Sequence, residues 1–439
     1  MSKELESLNE EELLEAWPLL STEERSEGIR LLDRQQQEDL FLALGGRDQH
    51  AFLASLPQTE RRSWVRMLPP DDAADLVQEA PPEERQRLLA LLDPPARLEV
   101  QGLLAYAEDE AGGLMSPRFA RVRPDLTVDQ AITWLRKQAR EKLETIYYVY
   151  VIDAEQHLCG VVSFRELFQA PPDKRVRDVM QVDVVTARDD LDQERLSRLF
   201  RDWGLLAIPV VDEAGRMKGI VTVDDIVDVV EEEATEDIQK IGGSEALDEP
   251  YLTISLPRML KKRGGWLAVL FLGEMLTATA MAAYEDEIAR AVVLALFVPL
   301  IISSGGNSGS QASTLVIRAM AVGEVKVRDW WRVVRREFSS GLALGLLLGA
   351  IGIVRVLAGE ALFHTYGEAA VGVALTVGFS LVGVVLFGTL SGSMLPLLLR
   401  RLGLDPASAS APFVATLVDV TGLLIYFSAA SLLLRGTLL

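Results

Sequence analysis

One cysteine and three histidines in 439 residues remove several kinds of chemistry at the outset. Cys159 alone cannot close an internal disulfide or build a thiolate metal site. His50, His157 and His364 are too scattered along the chain to suggest a zinc cluster. No lysine follows a glycine-rich loop in the manner of a nucleotide hydrolase, no nucleophile is matched with a base, and no zinc signature is present, so the chain does not read as an enzyme. Any metal would be held by oxygen. Basic residues are scarce in the first half: through residue 250, 29 Lys and Arg face 53 Asp and Glu, a net of −24, which repels phosphate and disfavours nucleic acid. The Met-Ser-Lys-Glu start lacks the basic and apolar regions of a cleaved export signal, so none is expected.

Apolar residues, by contrast, make up 49% of the chain and give a mean hydropathy of +0.18. They concentrate in the last 189 residues, which carry 15 basic and 11 acidic groups. Five apolar segments lie there, at roughly 265–283, 288–320, 339–359, 369–399 and 411–434, each reaching the ~20 residues needed to cross a bilayer. Basic residues flank one side: Arg258–Arg263 precede the first segment, Lys326–Arg336 follow the second, and Arg400 and Arg401 follow the fourth, whereas Glu285, Asp286 and Glu287 follow the first. The positive-inside rule then puts the acidic half in the cytoplasm and the C-terminus outside. Within the second segment, Ser303-Ser-Gly-Gly-Asn-Ser-Gly-Ser-Gln311 is expected to unwind or break the helix, lining a watery cavity, or else to loop between two short helices.

The fifth segment contains an acid, Asp419, with no Lys or Arg within a helical turn or two. An ionised Asp at mid-bilayer costs at least ~2.5 kcal/mol, which marks it as a functional candidate unless Thr416 or Thr421 satisfies it structurally. Ala411, Ala415, Asp419 and Gly422 recur at helical spacing, a stripe of small residues that permits close approach or leaves open volume before the carboxylate. Two copies on a two-fold axis would set two such acids on one pathway and attract cations. Glu274, in the first segment, has small polar neighbours and reads as structural.

The soluble half has a repeat. Tyr150–Ser163 matches Pro209–Thr222 at an offset of 59, each copy reading strand, turn, strand, helix, after amphipathic helices at Thr127–Arg140 and Leu191–Trp203. This resembles a tandem pair of cystathionine-synthase-type (CBS) repeats, a module that often senses ligands between its copies. Before it, units such as LPQTERRSWVRML and APPEERQRLLALL predict short helices stacked as a small solenoid, with Pro in the first turn. After it, Asp224–Asp237 holds eight acids in fourteen residues. Asp224, Asp228, Glu232 and Glu236 share one helical face and repel one another. That face is either simply solvated or screened by hard cations against other acids, with Asp71, Asp72 and Asp75 able to supply the opposite side.

The order of these features, with SGGNSGSQ in the second span, ATLVDVTG in the fifth and EDEAGGLM at Glu108–Met115, resembles the MgtE family of prokaryotic magnesium channels over essentially the full length. The resemblance implies an acidic all-α superhelical domain at 1–112, α/β CBS repeats at 113–178 and 179–230, a connecting (plug) helix at 231–264 and a five-helix α-helical pore domain at 265–439. It implies a homodimer in the cell's inner membrane, with no obligatory further protein partner, conducting Mg2+ along an axial pore lined by the second and fifth spans. Asp419 would hold the hydrated ion, Ala415 would offer a carbonyl, and Gly305, Gly306, Asn307, Ala411 and Gly422 would line the way. Cytosolic Mg2+ would close the pore by bridging Asp71 and Asp75, Asp192 and Glu194, Asp225 and Asp228, Glu236 and Asp237, and Asp405. Some relatives bind ATP between the CBS copies, and Tyr148, Arg165 and Glu166 fit such a site. This chain departs from the pattern at Gly204, where an acid is expected, at Ala411, where a polar residue is expected, and at Leu205, which supplies no aromatic stack. Two other readings stay open: a broader divalent channel passing manganese, cobalt or nickel, and a membrane-anchored CBS sensor without transport.

Overall fold

The computed structural model describes residues 10–17, 20–139, 143–145, 147–249, 251–252 and 254–435, and the chain forms two compact units, Met1–Glu233 and Ala234–Leu439. The Met-Ser-Lys-Glu start and Arg140, the expected end of one amphipathic helix, lie outside the described residues.

The first unit opens with the expected solenoid of short helices: Glu10–Ala16, Thr22–Leu31, Arg34–Ala43, Gly46–Ser55, Gln58–Val65, Pro70–Glu79, Pro82–Leu91 and Pro94–Leu103. The structure reveals a period of twelve that explains their stacking. The fourth residue of each helix reaches back to carbonyls near the end of the preceding one: Arg25 Nε donates to Trp17 O (3.0 Å), Gln37 Nε2 to Ile29 O (3.0 Å), Gln49 Nε2 to Phe41 O (3.2 Å) and Arg61 Nε to Leu56 O (3.1 Å). Arg85 Nε donates to Ala80 O (3.0 Å) and Arg97 Nε to Leu89 O (2.7 Å). Each clamp satisfies carbonyls that a helix end leaves without partners. The series skips one position, where Ala73 stands in Pro70–Glu79. Phe41, Phe52 and Trp64 pack ring against ring in the core, with centroids 4.8–5.2 Å apart.

The CBS repeats form two three-stranded mixed sheets. In the first, Arg121–Val122 runs parallel to Tyr148–Ile152, which pairs antiparallel with Leu158–Ser163; in the second, Ala187–Arg188, Ala207–Val211 and Met217–Thr222 repeat the arrangement. The copies join about a local pseudo-two-fold, Leu158 N donating to Gly215 O (3.2 Å) and Met217 N to Gln156 O (2.9 Å). The repeat extends to the helix caps. Ser163 donates from N and Oγ to Glu166, and Thr222 donates in the same way to Asp225. The copies differ in the connection from amphipathic helix to strand, 139–147 in the first and only 204–206 in the second.

The connector is not the single helix 231–264. One helix runs from Val223 to Ile241, and the first span begins anew at Leu256. Residues 242–255 lie between them, and Gly243, in the left-handed region (φ 78°), closes the first helix's end in a conformation that glycine adopts without strain.

In the second unit the five apolar segments are helices within Leu256–Ala283, Val292–Ala321, Val327–Phe363, Gly367–Arg401 and Ala411–Leu433. The second span corrects one expectation. Val298–Ala321 is continuous through SGGNSGSQ, and the irregular backbone lies upstream, where Val292–Ala295 is a separate helical turn and Leu296 and Phe297 interrupt the helix. Backbone groups in hydrocarbon have no water to turn to, so the glycine run keeps its helical bonds. At the actual break, the Tyr426 hydroxyl donates to Leu294 O (2.9 Å). The glycines serve approach instead. A Cβ on Gly309 would sit 2.8 Å from Val414 Cγ1 and 2.9 Å from Gly388 O, and one on Gly345 of the third span would sit 2.9 Å from Val382 Cα of the fourth.

Candidate functional site

Three sets of acids can be followed from the residues upward. The first lies within the first unit, where the Pro70–Glu79 helix, Glu144 and the start of the Val223–Ile241 helix converge electrostatically. Asp71 is buried, with 8% of its surface exposed, and its Oδ1 has no hydrogen-bond partner among the described residues. Burial, then the charges of Glu144, Asp72 and Asp225, push its carboxyl up to about 8. Asp72 is pushed up to about 6 by burial and by Asp225 and Glu144, and Asp225 to about 6 by burial, against the two hydrogen bonds from Thr222. Asp75 is raised as well, by its packed surroundings and then by Asp72, though its side chain keeps contact with solvent, which screens it. Burial also raises Asp228 and Glu144; Glu144 accepts from Ser116 Oγ (3.1 Å) and is partly offset by Arg118.

Acids crowded this closely repel one another once ionised, and oxygen-only donors of this kind suit Mg2+ or Ca2+. The unpartnered Asp71 Oδ1 shows that the chain itself does not satisfy the group. Asp71 and Asp75 each lie within electrostatic reach of Asp72 and Asp225, and Asp72 within reach of Asp228. Glu144 was missed by sequence reasoning.

Asp192 and Glu194 are committed locally. Asp192 caps its helix, accepting from Glu194 N (3.1 Å) and Arg195 N (3.3 Å), and Glu194 pairs with Arg198. Gly204 ends the same helix at φ 61°, so at this departure glycine meets a backbone demand that an acid would strain.

The second set, in the second unit, joins Glu236 and Asp405 through a lysine. Lys240 Nζ donates to Asp405 Oδ2 (2.7 Å) and pairs with Glu236, while Asp405 Oδ1 accepts from Ala407 N (2.8 Å). Burial opposes the charge on Lys240, but its bonds to Asp405 and Glu236 prevail and hold its pKa above the ordinary lysine value. Asp237 lies on the same helix.

The third set is in the membrane unit. Gly306 of the second span faces the fifth: a Cβ there would lie 3.4 Å from Ala415 Cβ and 3.9 Å from Asp419 Oδ1. Asp419 is half-buried. The structural alternative fails for it, because Thr416 Oγ1 donates to Pro412 O (3.1 Å) and Thr421 Oγ1 to Leu417 O (2.7 Å), both within their own helix. The Ala411 carbonyl accepts from Ser310 Oγ (3.0 Å). Asn307 is exposed on the second span, while Gly305 and Gly422 are buried, a Cβ on either meeting Val384 of the fourth span. These two glycines set helix spacing rather than line open volume.

Of the nucleotide candidates, Tyr148 packs on the cluster of Phe119, Tyr150, Ile152, Met217 and Ile220, which draws on both CBS copies. Arg165 is exposed, and Glu166 accepts from Gln181 Nε2 (2.9 Å) besides its cap.

Comparison with known proteins covers the same regions. The chain matches the family MgtE, divalent cation transporter, over residues 298–429; the MgtE intracellular N domain over 5–109; and the CBS domain over 111–173 and 176–232. It is 46% identical over 346 residues to the magnesium transporter MgtE of Thermus thermophilus, covering 79% of this chain and 75% of that one. It is 35% identical over 338 residues to the magnesium transporter MgtE of Enterococcus faecalis, covering 77% and 72%. A solved cytosolic domain of the Mg2+ channel MgtE in complex with ATP shares 42% identity and covers 52% of this chain and 93% of that one, with a TM-score of 0.47.

Proposed function

Because the chain belongs to the MgtE family of divalent cation transporters, we propose that it conducts Mg2+ across the cell's inner membrane and that cytosolic Mg2+ closes it. The observation that carries the reading is Asp419, a carboxylate in a span without a hydrogen-bond partner among the described residues, set beside the small residues Gly306 and Ala415. Mg2+ sheds water reluctantly, so a carboxylate flanked by small residues suits capture through the ion's own waters. Flux runs down the electrochemical gradient and no bond is made or broken. A second copy related by a two-fold axis would double the acid on the pathway.

For gating, the proposal assigns regulatory Mg2+ to Asp71, Asp75, Asp225 and Asp228, joined by Asp72 and Glu144, and to Asp192, Glu194, Glu236, Asp237 and Asp405. Low Mg2+ would restore the repulsion among the crowded acids and loosen the closed arrangement. The lysine between Glu236 and Asp405 means that an ion there competes with an ammonium. Tyr148, Arg165 and Glu166 are assigned to a nucleotide. The acidic half is assigned to the cytoplasm and the C-terminus to the outside.

The test is Mg2+ uptake into proteoliposomes. Asp419→Ala is expected to lower flux by tenfold or more, and Asp225→Asn with Asp228→Asn to leave flux running at high internal Mg2+. Unchanged flux in Asp419→Ala defeats the pore assignment. Uptake of manganese, cobalt and nickel at rates matching magnesium would favour the broader divalent channel instead, and absence of any flux in the parent would favour a sensor.

A further inference from the structure

A cavity of about 710 Å³ opens within the second unit where the Val223–Ile241 helix ends and the first span begins. Its walls include Gln239, Leu247, Tyr251, Met259, Arg263 and Leu267. The first-span helix contributes Arg263 between the apolar Met259 and Leu267, the connecting helix contributes the polar Thr235 and Gln239, and the cavity is of a size that takes a small ligand.

Its charges are unevenly settled. Asp248 pairs with Lys262 (2.8 Å) and Glu249 with Arg258, so the cavity's two acids are each matched by a base. Arg263, which is exposed, has no ion-pair partner among the described residues. The carbonyls at the end of the connecting helix do not offset it, because Gly243 N donates to Lys240 O (2.9 Å) and Ser244 N to Gln239 O (3.1 Å). Gln239 Oε1 is spent on Leu247 N (2.6 Å), which leaves its amide N–H₂ as a donor beside Arg263. The arrangement is one unmatched guanidinium flanked by Met259 and Leu267 on the same helix, with an amide donor opposite.

Position selects the occupant. Arg258, Lys261, Lys262 and Arg263 lie in the first turns of a helix whose apolar stretch starts at Trp266 and Leu267. Basic residues at the cytoplasmic end of a span sit at the level of the inner-leaflet headgroups. Guanidinium recognises phosphate by paired N–H donors, and an acyl chain fits where Met259 and Leu267 face the cavity. We propose that this cavity is a phospholipid site of the inner leaflet, with an anionic headgroup's phosphate on Arg263 and Gln239 and an acyl chain along Met259 and Leu267. A lipid seated there fills the space between the connecting segment and the first span, and so ties the position of the Val223–Ile241 helix end to the composition of the membrane.

The experiment is native mass spectrometry of the full chain taken from vesicles of phosphatidylglycerol and phosphatidylcholine, without any transport assay, so that its failure is separable from failure of the transport reading. The parent is expected to retain phosphatidylglycerol. Arg263→Gln should reduce retention at least tenfold, Arg263→Lys only a few-fold, and Leu267→Trp, which narrows the apolar wall and keeps Arg263, should reduce it as well. Circular dichroism checks that each variant is folded. Equal retention by the parent, Arg263→Gln and Leu267→Trp overturns the site. Displacement of the lipid by inorganic phosphate overturns the lipid as source in favour of a free phosphate ligand. Efficient disulfide formation between copies carrying Leu247→Cys, without lipid retention by the parent, overturns it in favour of a second copy of the chain.

Discussion

Replacing Asp71 by Asn should stabilise the soluble unit when divalent ions are absent. The folded chain holds the Asp71 proton far more tightly than an unfolded chain does, with a pKa raised from 3.8 to about 8. Between those values the folded state binds more protons than the unfolded one, so stability falls as pH rises through the window and levels off above about 8. At about 1.4 kcal/mol per pH unit, Asp71, which keeps its proton in the fold at pH 7 while the unfolded chain releases it, costs the fold on the order of 4 kcal/mol there. Asparagine is nearly the same shape and carries no charge, so Asp71→Asn removes that cost and part of the burden on Asp72. The assay is hydrogen–deuterium exchange of the Pro70–Glu79 helix in the full chain, corrected for the intrinsic pH dependence of exchange. Without divalent ions at pH 8, Asp71→Asn should slow exchange by up to roughly a thousandfold, the ratio that such a free-energy difference gives if the helix opens with the unit. Saturating Mg2+ should slow exchange in the parent and have much less effect in the variant. The reasoning is refuted if parent protection stays flat between pH 5 and 8, or if Asp71→Asn is less protected than the parent at pH 8 without divalent ions.

Other predictions concern the remaining features. Gly309→Ala places a methyl 2.8 Å from Val414 Cγ1 and 2.9 Å from Gly388 O, and should cost about 1–3 kcal/mol, read as a lower unfolding temperature in detergent. Gly264→Ala meets nothing within 4 Å and should gain up to about 1 kcal/mol by the same measurement, through helix propensity alone. Lys240→Met strands Asp405 and Glu236; with Lys240 partly open to solvent the loss should be near 1 kcal/mol, seen as faster protease cleavage at 242–251 when Mg2+ is low, with Mg2+ restoring protection. Arg97→Met removes the clamp on Leu89 O and should destabilise the solenoid by about 1–2 kcal/mol in denaturant unfolding.

Much of this was legible in the sequence because it followed from composition and period. Five apolar stretches, a 59-residue repeat and Pro-led short helices carry over directly into spans, paired sheets and a solenoid. Asp419 was legible because a charge in hydrocarbon is conspicuous wherever it stands. The glycine run was misread because local propensity treats glycine as a helix breaker, whereas inside a bilayer the missing Cβ serves helix contact, at Gly305 and Gly309 against the fourth span. The connecting helix was drawn too long because Gly242 and Gly243 lie inside a strongly charged stretch that hides the turn. Glu144 could not be found by spacing, since it joins Asp71 and Asp225 only after the two repeats and the solenoid have folded together.

The clamp series has a gap at Ala73, in the helix that carries Asp71, Asp72 and Asp75. Its neighbours are each fastened to the helix before them by a long side chain, whereas Ala73 is small and buried, and its helix packs so closely that a Cβ on Gly46 would lie 2.8 Å from the Asp75 carbonyl carbon. The one slat without a latch is thus seated by direct contact rather than by a tether, and it is the slat that carries Asp71 and Asp72 into the fold.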